Sequence, residues 1–136
     1  MRQSQGKRAN TNGQSAEDTI AAILMARRYI PQRQYLIGIS IFQSPLYADF
    51  YLDDIPTFPH GLIIESKWQE VSGSVDEKLP YLVANIQDVY PCPTVIVLHG
   101  KGYRLGAAAW LRRQVGGNLI GVVDLEGFLT WANHNL

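Results

Sequence analysis

Cysteine is nearly missing from these 136 residues: Cys92 stands alone, so no intrachain disulfide can form. The three histidines, His60, His99 and His134, are too far apart in sequence to suggest a zinc cluster, which leaves a hard-cation site made of carboxylates as the metal chemistry still open. No apolar run approaches the ~20 residues needed to span a bilayer, so no membrane segment is expected. Met1 to Asn12 is polar and basic and lacks the apolar stretch of a secretory signal; it is expected to be a flexible basic arm on a cytoplasmic protein. The remainder, residues 13–136, is long enough for one core and too short for two ordinary domains, and a single domain is expected there.

A net charge is absent too, with 12 Lys and Arg against 12 Asp and Glu, but the balance is uneven along the chain. Residues 1–33 carry six basic groups and two acids, residues 34–91 two and eight, and residues 92–136 four and two. An acidic centre between basic ends is what a metal site facing a phosphate backbone requires, although a mixed solvated surface has the same totals.

Ser15-Ala16-Glu17-Asp18 resembles a helix start, with Ser15 as N-cap and a helix running to about Arg28 before Pro31. Tyr35–Phe42 and Leu46–Asp53 read as a β-hairpin, and Gly61–Gln69 as a third strand. Ser74 opens a helix to about Val89, and Thr94–His99 is a short, fully buried strand. A helix over Tyr103–Val115, a strand over Leu119–Val123 and a short helix capped by Asp124 complete the order α-β-β-β-α-β-α-β-α. An α/β fold follows, with a mixed central β-sheet flanked by helices on both faces.

The chemistry sits in the period-two alternation of the second and third strands. Leu46, Ala48, Phe50 and Leu52 are expected on one face and Tyr47, Asp49, Tyr51 and Asp53 on the other; Leu62, Ile64, Ser66 and Trp68 oppose Ile63, Glu65, Lys67 and Gln69 in the same way. If these strands pair around Thr57, opposed residue numbers sum to 114 and Asp49 faces Glu65. A slip of one residue would undo that opposition. Facing carboxylates repel unless a cation sits between them, and Mg²⁺ favours one or two carboxylates plus water and phosphate. Lys67, two residues beyond Glu65 on the same face, is placed to stabilise charge on an attacked phosphate.

An acid on one strand, Glu65-Ser66-Lys67 on the next and Glu17 on a preceding helix together resemble the PD-(D/E)xK nuclease superfamily over roughly residues 13–125. The resemblance implies a restriction-endonuclease-like fold and phosphodiester hydrolysis with Mg²⁺ or Mn²⁺. Asp49, Glu65 and Lys67 are then catalytic, Asp49, Glu65 and Glu17 ligate the metal, and Gln69 is an accessory polar group. Ala48 stands where the motif has proline, and Asp53 is a rival to Asp49.

Lys78, Arg104, Arg112 and Arg113 are candidate DNA contacts, and a solvated face explains them equally well. His99-Gly100-Lys101-Gly102 lacks phosphate-loop spacing and reads as a plain turn. The expected activity is that of a metal-dependent DNA endonuclease acting as a homodimer. A Holliday-junction resolvase or homing-type endonuclease of the same fold is one alternative, and a catalytically inactive nucleic-acid-binding relative is another.

Overall fold

The computed structural model describes the backbone of residues 5–68, 74–100 and 105–136, and the side chains of residues 13–68, 77–100 and 106–136. Its elements follow the expected order: α1 (Gln5–Met25), β1 (Gln32–Ile39), β2 (Pro45–Leu52), β3 (Leu62–Trp68), α2 (Ser74–Asp88), β4 (Thr94–His99), α3 (Leu105–Arg113), β5 (Leu119–Val123) and α4 (Leu125–Asn135).

The first helix departs from the expectation at both ends. It begins at Gln5, so Ser15 is an interior residue whose carbonyl accepts a 2.9 Å bond from the Thr19 hydroxyl, and Gln5–Asn12 continues the helix. The segment holds no proline, and extending a helix already anchored by Ile20 and Leu24 adds one hydrogen bond per residue fixed, without a new nucleus. The helix ends before Pro31 because Arg28 adopts a left-handed conformation (φ 68°) and the Tyr29 N–H turns back onto the Leu24 carbonyl at 3.1 Å.

The five strands form one mixed sheet in the order β1-β2-β3-β4-β5. The β1–β2 and β2–β3 pairs are antiparallel, and β3–β4 and β4–β5 are parallel. Phe50 pairs with Ile64, Tyr51 with Ile63 and Leu52 with Leu62, the register in which residue numbers sum to 114. All six residues of β4 are buried, as its unbroken apolar run requires of a strand covered on both faces.

Two apolar clusters separate the layers. Phe50, Leu52, Ile64, Val95 and Val97 pack with Ile20 and Leu24 of α1 and Phe128 of α4. Ile63, Ile96, Leu98 and Leu119 pack with Leu79, Val83 and Ile86 of α2 and Leu111 of α3. The alternation expected for β3 is thus observed. In β2 it is not: Leu46 and Ala48 join the α2 cluster, whereas Phe50 and Leu52 join the α1 cluster. The change falls at Asp49, where the β2–β3 backbone ladder ends; β1 still pairs with β2 on either side of it (Arg33 with Phe50, Tyr35 with Ala48), and between those two β1 residues Gln34 adopts a left-handed conformation (φ 50°).

Asp124 caps α4 as expected, its carboxylate accepting the Gly127 N–H at 2.6 Å. Trp131 packs against Phe58 and Phe128 at ring-centroid distances of 6.0 Å. Among the described residues no helix is long and apolar enough to cross a membrane.

Gly61 launches β3 with φ +100°, and a Cβ there would lie 2.8 Å from the Tyr51 ring and 3.1 Å from the Leu52 carbonyl oxygen. Gly61→Ala is expected to destabilise the fold by about 1–3 kcal/mol, combining backbone strain with the collision. Urea denaturation followed by circular dichroism reads the loss.

Candidate active site

The site begins with an interruption in hydrogen bonding between β2 and β3. The Ile63 N–H donates to Pro93 O at the start of β4, at 2.9 Å, so the strand's alternation turns the Ser66 N–H the opposite way, toward β2. What it meets there is a side chain, because Asp49 Oδ2 accepts it at 2.8 Å. The carboxylate takes the place of a backbone carbonyl one step beyond the last ladder pair. Its other oxygen, Oδ1, accepts from Gln34 Nε2 at 3.4 Å.

Glu65 projects from β3 toward α2 and is 2% exposed. The Tyr90 hydroxyl donates to its Oε1 at 2.7 Å, and Lys67 Nζ lies 3.7 Å from its Oε2. Burial, and then the negative charge of Asp49, push its carboxyl up to about 8, against the opposing pull of Lys67 and the Tyr90 hydrogen bond. Tyr90 is itself pushed up, by burial and by the Glu65 charge. In the absence of a cation the buried carboxyl therefore holds its proton near neutral pH.

Glu17, half-buried on α1, belongs to the same electrostatic group. Its carboxyl is raised by burial and then by Asp49, with Arg33 and Lys67 acting the other way. Arg33 also pairs with the neighbouring Asp18 at 3.3 Å and lies over the Phe50 ring at 5.2 Å. Asp53, the alternative to Asp49, is exposed beyond the end of β2.

A cleft of about 340 Å³ opens over Glu65 and Lys67; Asp49 and Glu17 lie outside its lining. Leu46 and Tyr47 of β2, Glu65 and Lys67 of β3, Lys78, Tyr81 and Asn85 of α2, and Tyr90 line it. The structure thus brings Lys78 beside Lys67 and Glu65. Arg112 and Arg113 are exposed in the last turn of α3, where they complement the helix dipole, and neither lines the cleft. Gln69 and Arg104 lie outside the described residues.

Sequence reasoning missed Tyr90 and Asn85. Tyr90 follows the end of α2 and is 25 positions from Glu65, so nothing local marks it as that carboxylate's donor. Asn85 is 1% exposed; its Oδ1 accepts the Ile41 N–H at 2.9 Å and its amide donates to Tyr81 O at 3.1 Å. A buried amide within an otherwise apolar helix face was the available signal.

The donor set fits a hard divalent cation. Two carboxylates converge where the fold leaves one of them buried and protonated, and a cation between them relieves both the repulsion and the burial penalty. Among the described residues no three His, Cys, Asp or Glu side chains gather into a metal-holding group, and Glu17 is coupled to Asp49 through charge. Two protein carboxylates with the remaining positions left to water and phosphate is the coordination Mg²⁺ accepts.

A family model described as a PD-(D/E)XK nuclease superfamily domain matches residues 8–136, nearly the whole chain. The mixed sheet and its flanking helices agree with that match, and the chain belongs to the PD-(D/E)XK nuclease superfamily. Members of this superfamily are nucleases and generally use divalent metal ions. Comparison with curated proteins and with solved structures gives no significant match.

Because the folded Glu65 carboxyl is raised from 4.5 to about 8, the folded state holds a proton that the unfolded state has lost between those values. Its contribution to stability is complete below about pH 4.5 and disappears as the pH rises through about 8. Metal-free protein should therefore lose thermal stability across this window, and Glu65→Gln should remove much of the slope, by at least ~4 °C at the alkaline end. Scanning calorimetry in chelator from pH 5 to 8.5 measures this. Identical slopes in the two proteins would mean that Glu65 ionises normally.

Proposed function

We propose that the chain is a divalent-metal-dependent DNA endonuclease whose catalytic groups are Asp49, Glu65 and Lys67. The observation that carries this reading is the buried Glu65 carboxyl, with Lys67 Nζ at 3.7 Å and Asp49 raising the cost of ionising it, at the floor of an open cleft. A structural ion pair has no need of a second carboxylate that raises the first one's pKa.

Asp49 and Glu65 would hold Mg²⁺ or Mn²⁺, which when bound supplies Lewis-acid polarisation of the phosphate and a lowered pKa for water. Asp49 comes to that task already oriented by the Ser66 N–H on one oxygen and by the longer Gln34 contact on the other. Glu65 would serve as a ligand in its deprotonated form, and the Tyr90 hydroxyl, which donates to its Oε1, would fix that carboxylate's orientation. Lys67 stabilises the extra charge that develops on the phosphoryl oxygens during in-line displacement. Glu17 adds negative potential that tunes the pair, and Lys78 on the cleft lining contacts a phosphate beside the scissile one. The assembly we infer is a cytoplasmic homodimer, since cutting both strands of a duplex requires two such sites.

The test is cleavage of labelled DNA with Mg²⁺ or Mn²⁺. Glu65→Ala and Lys67→Ala are each expected to lower the rate by about 100-fold or more. Parent-like cutting by both variants would overturn the assignment, and a parent that binds DNA but never cuts would be an inactive nuclease fold. Tyr90→Phe removes one hydroxyl from a ring that otherwise stays packed, and is expected to weaken metal affinity about 10- to 100-fold by calorimetric titration.

A further inference from the structure

The cleft wall holds more aromatic surface than phosphodiester hydrolysis needs. Tyr47 and Tyr81 line it, and Tyr47 is 53% exposed. Phe42, 74% exposed at the tip of the β1–β2 hairpin, stacks on Tyr81 with ring centroids 5.1 Å apart and planes inclined by 15°.

This wall is held in place. The hairpin tip folds on the buried Ser40, whose backbone N–H donates to Ser44 O at 2.7 Å and whose hydroxyl accepts the Phe42 and Ser44 N–H groups at 3.1 and 3.2 Å. Asn85 then ties the tip to α2 through the Ile41 N–H. Strand β2 and helix α2 thus present their aromatic rings to the cleft from two elements clamped together, at little further ordering cost on binding.

We infer that the preferred substrate is DNA with an unpaired base next to the scissile phosphate, and that this base enters the cleft to stack on Tyr47 and Tyr81. The inference rests on the nuclease reading above and gives it a substrate class. Glu65 lies 2% exposed on the floor, so the reacting phosphate has to descend into the cleft. In a closed duplex the neighbouring base is held in its stack by its partner, and taking it out costs unpairing energy; in a single strand, gap or bubble that cost is absent. A cavity of about 340 Å³ falls in the range that encloses small ring systems. The pairing of aromatic faces with Lys67 and Lys78 is the combination that grips a single strand, rings for the bases and ammonium groups for the phosphates.

The experiment uses one oligonucleotide sequence carrying 2-aminopurine, presented as a single strand, as a bubble and as a perfect duplex. Cleavage is followed with Mg²⁺ or Mn²⁺, and binding with Ca²⁺ in place of either. Single strand and bubble should be cut at least ~10-fold faster than duplex, with 2-aminopurine fluorescence quenched on binding. Tyr47→Ala and Tyr81→Ala should each weaken single-strand binding about 5- to 100-fold and lose the quench, and the Tyr→Phe variants should retain both. Thermal midpoints of the variants separate loss of a ring from loss of the fold. Equal cutting of duplex and single strand, or an unchanged quench in both alanine variants, overturns the stacking inference and leaves the nuclease reading intact. Quenching without cleavage under any metal supports the stacking and overturns the catalytic assignment, and neither binding nor cutting overturns both.

Discussion

The burial of one carboxylate beside another governs the architecture of this site. Glu65 is out of water, the negative charge of Asp49 beside it opposes its ionisation, and Lys67 Nζ is 3.7 Å from one oxygen. Such an arrangement costs stability unless a proton or a metal ion occupies it, and the fold accepts that cost because the surrounding sheet determines where the groups must be. Tyr90 and the Ser66 N–H satisfy part of the demand, each donating to one carboxylate.

That arrangement follows from the way β2 and β3 part. Up to Phe50 and Ile64 the strands share an ordinary antiparallel ladder. Beyond it, β3 continues in parallel register with β4 as far as Trp68 and His99, and β2 turns away with its apolar residues moving to the other layer. The side chain of Asp49 fills the gap in the ladder. A continuous backbone ladder at this step would occupy the Ser66 N–H and leave Asp49 without its anchor.

Helix α2 completes the site from outside the sheet. It carries Lys78 and Tyr81 to the cleft, leads into Tyr90 below it, and anchors the β1–β2 hairpin through Asn85. The carboxylates, basic groups and aromatic wall therefore depend on two packing contacts, α2 on β3 and the hairpin tip on α2. A functional surface assembled from such contacts stays in register only while the Leu79, Val83 and Ile86 face of α2 remains packed.

Much of this was legible in the residue order. Alternation identified the strands and the two faces of β3, the buried run identified β4, Asp124 marked the start of α4, and the turn around Thr57 implied the register observed between β2 and β3. The start of α1 was illegible because a tolerant polar segment can continue a helix as well as end one, so Ser15 offered a cap that the chain did not use. The change of face in β2 was hidden as well, since strict alternation presumes regular extended backbone, and the ladder to β3 ends at Phe50 while Gln34 of the paired β1 is left-handed.

What the sequence determined by itself was local: which segments alternate, which are buried on both sides, and that Glu65 and Lys67 share a face two residues apart. The tertiary structure alone decided that Tyr90 reaches Glu65, that Asp49 bonds the Ser66 backbone, and that Asn85 draws Phe42 and Tyr81 together. Those contacts join residues 17 to 44 positions apart. Periodicity constrains a chain over a few residues, whereas contacts at such separations exist only once the layers have packed and fixed how the elements lie against one another.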